Sequence, residues 1–260
     1  MSVFESVLLG LVQGVTEFLP VSSSGHLAVL EHLWKLPVES RLPLTTMLHG
    51  ATVLVTLVFF FPQIVRIVTG LWASDSSRRK ASWTMVFFIV IATIPAVLVA
   101  VLLRHAVEES FANPMHVGLM FLVTGLVLFG TRYTQPKGRG GWFRALLVGV
   151  AQAIAALFRG ISRSGATIST GLYLGMEREQ AFNFSFLLSI PAITGEFLLD
   201  VRKVDTTLLK PATVAVGMVV AFVTGLAALY ALRRMVVSRK LYLFAFYCWA
   251  AGLAVILFVR

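Results

Sequence analysis

The sequence has a single cysteine, Cys248, inside an apolar run. One thiol excludes an intramolecular disulfide and makes a cysteine-based metal centre implausible, so Cys248 reads as packing. Charge is scarce as well: 13% of the 260 residues are charged, against 58% hydrophobic. A soluble core of this size does not need so much apolar side chain, and 20 phenylalanines with a mean hydropathy of +0.87 point to a bilayer as the solvent. Neither a P-loop nor a dinucleotide-binding glycine pattern is present. The formal charge of +10 does not imply nucleic acid, because the 22 Lys and Arg residues mostly sit between apolar runs rather than on one basic face. Met1 to Gly10 carry Glu5 and no basic residue, so they lack the charged start of a secretory leader and are expected to be mature structure.

What is there is arranged in blocks. A spanning helix needs about 20 apolar residues. Six charge-free stretches approach or exceed that: 42–65, 81–103, 110–131, 180–195 (extending past Glu196 to Leu199), 211–232 and 241–259. They predict an all-α integral membrane protein with six transmembrane helices. Two other apolar regions fail the test, since 6–30 contains Glu17 and His26, and 145–176 is split by Arg159 and Arg163. These read as re-entrant helix pairs that break at a polar turn, tolerated at membrane depth only where protein or a wet cavity satisfies the broken backbone.

The two interrupted regions resemble each other. Leu8, Gly10 and Gln13 align with Leu147, Gly149 and Gln152; Ser22, Ser24 and Gly25 align with Ser162, Ser164 and Gly165, after a one-residue slip at Gly160. Each half of a single membrane domain, 1–135 and 136–260, is then one re-entrant pair followed by three crossings. Three is odd, so the second half sits upside down, an inverted-topology repeat of the kind that builds sites near the midplane. Basic residues set the orientation. With the segments 74–80, 132–144 and 233–240 in the cytoplasm, that face holds most of the Lys and Arg, and both termini are expected outside it.

The first polar constellation runs from Gln13 to His26. Gln13 and Glu17 are four apart and share a helix face. Pro20 disfavours helical geometry at Leu19, and Ser22, Ser23, Ser24 and Gly25 can open the next helix with free N–H groups that attract anions. His26, three residues after Ser23, can neighbour that hydroxyl as a base neighbours a nucleophile. Taken singly, the serines could be no more than helix caps. A carboxylate at membrane depth is costly, which makes Glu17 a functional candidate by default. The second constellation, Arg159 to Thr167, frames Arg163 with Ser162, Ser164, Gly165 and Thr167. A planar guanidinium among small polar residues suits phosphate. Anion binding is the natural reading; an ion pair of Arg163 with Glu17 that ties the two halves together is not exclusive of it, and Arg159 could be a solvated charge. Carboxylate, imidazole, hydroxyls and arginine together fit phosphoryl chemistry on a lipid. A transporter or flippase built on inverted repeats is the alternative; it would need the arginine but no nucleophile.

Glu17-Phe-Leu-Pro-Val-Ser-Ser-Ser-Gly-His26, with Gln13 ahead of it, and Ser162-Arg-Ser-Gly-Ala-Thr167 closely resemble the two signature motifs of the undecaprenyl-diphosphate phosphatase family, also called bacitracin-resistance proteins. Ala92-Thr-Ile-Pro-Ala96 and Phe184-Ser-Phe-Leu-Leu-Ser-Ile-Pro191 extend the resemblance over nearly the whole chain. It implies a plasma-membrane enzyme that hydrolyses undecaprenyl diphosphate to undecaprenyl phosphate and phosphate, recycling the carrier lipid for cell-wall synthesis. It makes Ser23 the nucleophile, unless a water attacks, His26 its acid/base partner, Gln13 and Glu17 the metal or proton-handling pair, and Arg163 the phosphate clamp. Ser22, Ser24, Gly25, Ser162, Ser164, Gly165 and Thr167 are expected to line the substrate. Mg²⁺ or Ca²⁺ is the implied ion, and a homodimer is allowed for. The sequence departs from the family at Arg159-Gly160, where Pro-Gly is usual, and at Gln13, which offers one fewer charge than an acid.

Overall fold

The computed structural model describes residues 2–34, 38–102, 114–138, 141–202, 204 and 211–259. Ten α-helices make up the described residues: α1 Val3–Phe18, α2 Ser23–Leu33, α3 Val38–Gly70, α4 Ser76–Leu102, α5 Pro114–Gly130, α6 Trp142–Leu157, α7 Arg163–Tyr173, α8 Arg178–Val201, α9 Pro211–Val237 and α10 Phe244–Phe258. No strand occurs among them. Six segments are long and apolar enough to cross a membrane: Pro43–Gly70, Ser76–Leu102, Met115–Tyr133, Arg178–Val201, Pro211–Val237 and Leu241–Phe258. They correspond to the six stretches expected from sequence, and the protein is a multi-pass membrane protein. The most lipid-like of them, α4, turns Trp83, Phe87, Val90, Ile94, Val97 and Leu98 outward. A helix whose apolar side chains point away from the protein is stable only where lipid replaces water.

Ahead of the first and the fourth crossing lie two pairs of short helices, α1/α2 and α6/α7, at the two interrupted regions. Helix α1 begins with a reciprocal cap, Ser2 Oγ accepting from the Glu5 N–H (3.2 Å) and the Glu5 carboxylate accepting from the Ser2 N–H (2.8 Å). It ends at Phe18, because Leu19 before Pro20 is extended (ψ 147°). The second break needs no proline: Phe158 is extended and Gly160 takes φ +99°, a left-handed conformation that glycine adopts at no steric cost. The slip in the alignment is visible as geometry, with Leu19–Ser22 linking the first pair and the longer Phe158–Ser162 linking the second.

Close helix contacts seat both pairs. Gly10 of α1 lies on the backbone carbonyl of Gly217 in α9, and Gly149 of α6 lies on the backbone of Ala92 in α4. A Cβ at either glycine would overlap those carbonyls, so a small residue there is what allows the backbones to meet. Ser6 adds a hydrogen bond from its hydroxyl to the Thr213 carbonyl (2.6 Å). Helices α5 and α10 cross where Gly118 and Gly252 each face the other's carbonyl. Around these crossings the apolar core runs through Phe18, Phe60, Phe182 and Phe186, whose rings stack at 4.9–6.1 Å.

Candidate active site

Both broken turns end in helix starts of the same build. Ser22 caps α2, its hydroxyl accepting from the Gly25 N–H (3.4 Å) and lying 3.3 Å from the Ser24 hydroxyl. Ser162 caps α7 in the same way, accepting from the Gly165 N–H (3.1 Å) with the Ser164 hydroxyl at 3.3 Å. Ser22 sits at φ +67°, where a residue with a Cβ is strained. Such conformations persist when the surroundings over-determine them, and they gather at functional sites.

The two turns meet at Glu17. Its carboxylate is buried, with 4% of the side chain exposed. Arg163 Nη2 donates to Oε1. Ser23 Oγ (2.6 Å) and Gln13 Nε2 (3.1 Å) both donate to Oε2. His49 of α3 brings Nε2 to 3.7 Å from the same oxygen. A buried carboxylate is tolerable only when paired and hydrogen-bonded, and here four elements converge to do that. Gln13 shares the face of α1 with Glu17, as the spacing predicted. Its Oε1 is buried and has no hydrogen-bond partner.

The structure does not pair Ser23 with His26. Nδ1 of His26 turns back to the Ser22 carbonyl four residues behind it (2.8 Å), and Nε2 is held by the Tyr247 hydroxyl of α10 (2.7 Å). With both ring nitrogens engaged, the hydroxyl of Ser23 is left to Glu17, which lies across the turn. The short Ser23–Glu17 bond gives a hydroxyl beside an acceptor able to take its proton, the arrangement of an activated nucleophile.

Ser164 Oγ donates to the Phe18 carbonyl (3.1 Å), tying the start of α7 to the end of α1. Thr167 shares a hydrogen bond with Ser185 of α8. Arg159 is partly buried in the second turn, away from the hydrogen bonds of Glu17. Helix α6, the sequence twin of α1, gives a contrast: Gln152, aligned with Gln13, is buried with neither amide atom hydrogen-bonded, and Ala156 stands where Glu17 would be. The carboxylate site is built once.

Two clefts flank Glu17. One is lined by Arg163 with the hydroxyls of Thr56, Ser164, Ser185 and Ser189, and suits an anion. The other is lined by Thr46, His49, Thr52, Glu196 and Asp200. Among the described residues no three His, Cys, Asp or Glu side chains are grouped to hold a metal. Gln13 turns its amide nitrogen to Glu17 and leaves its buried Oε1 without a partner, so that oxygen and the Glu17 carboxylate are the hard donors on this face of α1. Mg²⁺ commonly takes one or two carboxylates and completes its shell with water and substrate phosphate, so this small donor set fits such an ion.

Sequence reasoning passed over His49, Thr124, Tyr247, Thr56 and Ser189. His49 left a signal, an ionisable side chain within the apolar run 42–65. Thr124, a lone threonine in an apolar helix, left none, yet its hydroxyl donates to the Gly160 carbonyl (2.9 Å) and accepts from the Ser162 N–H (3.2 Å). It fixes the second turn just ahead of Arg163.

Known proteins match along nearly the whole chain. The family model described as "Bacitracin resistance protein BacA" matches residues 6–254. A protein of Desulfatibacillum aliphaticivorans named undecaprenyl-diphosphatase is 40% identical over 97% of both chains. One of the same name from Parabacteroides distasonis is 41% identical over 98% of both, and another from Thermotoga maritima is 40% identical over 93% of this chain and 94% of its own. With Gln13, Ser23 and Arg163 gathered at the buried Glu17 carboxylate and the match running over nearly the whole chain, the chain belongs to the bacitracin resistance protein BacA family.

Proposed function

We propose that the protein is a membrane phosphatase that hydrolyses undecaprenyl diphosphate to undecaprenyl phosphate and inorganic phosphate, returning the carrier lipid to cell-wall synthesis at the plasma membrane. The observation that carries this is the Ser23–Glu17–Arg163 cluster, in which a hydroxyl and a guanidinium from two helix starts share one buried carboxylate. An anion transporter would use the guanidinium and the helix ends, but it has no use for a hydroxyl bonded to a base.

In this mechanism Ser23 Oγ attacks the terminal phosphorus as its proton passes to Glu17. The bond to the bridging oxygen breaks, and undecaprenyl phosphate leaves. Water then attacks the phosphoserine, Ser23 recovers its proton, and inorganic phosphate is released, so atoms balance over the two steps. Arg163 donates to the non-bridging oxygens, where its planar fork matches the charge. The starts of α2 and α7, with Ser22, Ser24, Gly25, Ser162, Ser164, Gly165 and Thr167, line the phosphates and turn the positive ends of two helices toward them. Gln13 and Glu17 would hold a divalent cation, Mg²⁺ or Ca²⁺, which when bound neutralises diphosphate charge.

The fold we propose is an inverted repeat of 1–135 and 136–260, with α1/α2 and α6/α7 as re-entrant pairs entering from opposite faces. The reciprocal seating supports it: α1 of the first half lies on α9 of the second, and α6 of the second on α4 of the first. Both termini then lie outside the cytoplasm. The site residues come from one chain, so a homodimer is not needed to complete them. The test is phosphate released by purified protein in detergent from a C55 or C15 polyprenyl diphosphate, with and without chelator. Release that the chelator abolishes and Mg²⁺ or Ca²⁺ restores is expected; no release from either lipid would overturn the assignment.

A further inference from the structure

The imidazole of His26 is enclosed. Phe121 of α5 lies against one side, ring centres 5.0 Å apart, and Tyr247 of α10 is stacked on it at 5.7 Å and 12° between planes. Its two nitrogens are not equivalent. Nδ1 faces the Ser22 carbonyl, which only accepts, so Nδ1 carries a proton. In the neutral ring Nε2 therefore holds the lone pair, and the Tyr247 hydroxyl at 2.7 Å donates to it. When the ring is protonated, the same hydroxyl can turn and accept from Nε2–H. One tyrosine thus completes the bond in both protonation states. Tyr247 is itself half-exposed.

The neighbours show a consistent arrangement. The thiol of Cys248, next in sequence, donates to the Pro20 carbonyl (3.6 Å), so α10 holds the first broken turn at two points. Helix α5 does the same for the second turn through Thr124. Each turn is fixed by a span from the opposite half.

We infer that Tyr247 is a positioning residue of the reaction: its hydroxyl, together with the Ser22 carbonyl that sets the Nδ1–H tautomer, holds the His26 ring with Nε2 turned from Ser23, so that the serine proton goes to Glu17 while imidazole and phenol form a separate proton-handling pair. The inference rests on the phosphatase reading only for its kinetic arm. Tyr247→Phe keeps the stacked ring and removes the hydroxyl. The expected result is a kcat about tenfold lower with KM for a C15 diphosphate within about twofold, the size of one lost hydrogen bond acting in turnover. Adding Tyr247→Phe to His26→Gln should cost nothing further, since the tyrosine acts through the histidine.

A second measurement stands apart from activity. In ¹⁵N-histidine-labelled wild-type protein at alkaline pH, the resonances absent from His26→Gln should show Nδ1 protonated and Nε2 bare, and Tyr247→Phe should displace the Nε2 signal. Wild-type kcat in Tyr247→Phe, an additive double variant, or a protonated Nε2 in the neutral ring would each overturn the inference. If wild-type protein releases no phosphate, the phosphatase reading fails, and the nitrogen resonances still decide the role of Tyr247.

Discussion

Removing the partners of the Glu17–Arg163 pair one at a time, then together, separates a structural tie from a working site. In Arg163→Gln the carboxylate of Glu17, 4% exposed, loses its counter-charge and keeps the hydrogen bonds from Ser23 and Gln13. Stripping one partner from a buried pair typically costs about 3–5 kcal/mol. The two remaining bonds put the expected loss near the lower end, about 3 kcal/mol, or roughly 6–12 °C in Tm for a chain of this size. Glu17→Gln leaves a guanidinium that is 26% exposed and can be hydrated, so about 1 kcal/mol is expected. The double variant, with neither charge, should recover to within about 1 kcal/mol of wild type, because the interaction is shared. Activity should not recover: all three variants should lose at least about 100-fold for want of the base, the clamp or both. Arg163→Lys should melt normally yet run roughly 30- to 1,000-fold slower, the cost of a missing planar donor in the transition state. Thermal unfolding and phosphate release on the same detergent preparations provide the readouts. A double variant that melts like wild type and turns over at the wild-type rate would refute the reasoning and leave the pair as a structural tie.

Ser23→Ala should lower turnover at least about 100-fold, whereas a near-normal rate would mean that water attacks phosphorus directly. Thr124→Val, close to isosteric, should strip the Gly160 carbonyl and the Ser162 N–H of their partner, lowering stability by about 1–3 kcal/mol and kcat with it; an unchanged Tm would show that the turn is held by other means. Gly149→Val should leave little folded protein in the membrane, because its side chain would overlap the Ala92 backbone, while Gly195→Ala, with nothing within 4 Å of the added carbon, should express normally. In a Cys248→Ala background, cysteines introduced at 74–80 and 233–240 should be labelled from the same, cytoplasmic face; labelling from opposite faces would break the inverted-repeat model. Matching cysteines at Ala106 and Thr206, expected on the other face, lie outside the described residues.

Amino-acid order alone determined the spans and the breaks, because both depend on local chemistry. A charge-free run has one low-energy form in a bilayer, Pro20 ends a helix at the residue before it, and serine followed by glycine three places on opens the next. Gln13 and Glu17 could be placed on one face from their spacing, and Arg163 could be set apart as a charge in an apolar region. Which groups these side chains touch was not local information. Ser23 and His26 are close enough in sequence to have been paired, but the choice between His26 and Glu17 was made by Tyr247, 221 residues further along, and by the Ser22 carbonyl. His49, Thr124 and Tyr247 join the site from three different crossings, where Thr124 and Tyr247 read as ordinary members of an apolar helix and His49 as an ionisable group whose partner the sequence does not name. Their positions follow from helix crossings set by backbone contacts such as Gly10 on Gly217 and Gly149 on Ala92. Hydropathy records that a residue faces protein or lipid, but which helix lies opposite it is decided only when the chain is packed.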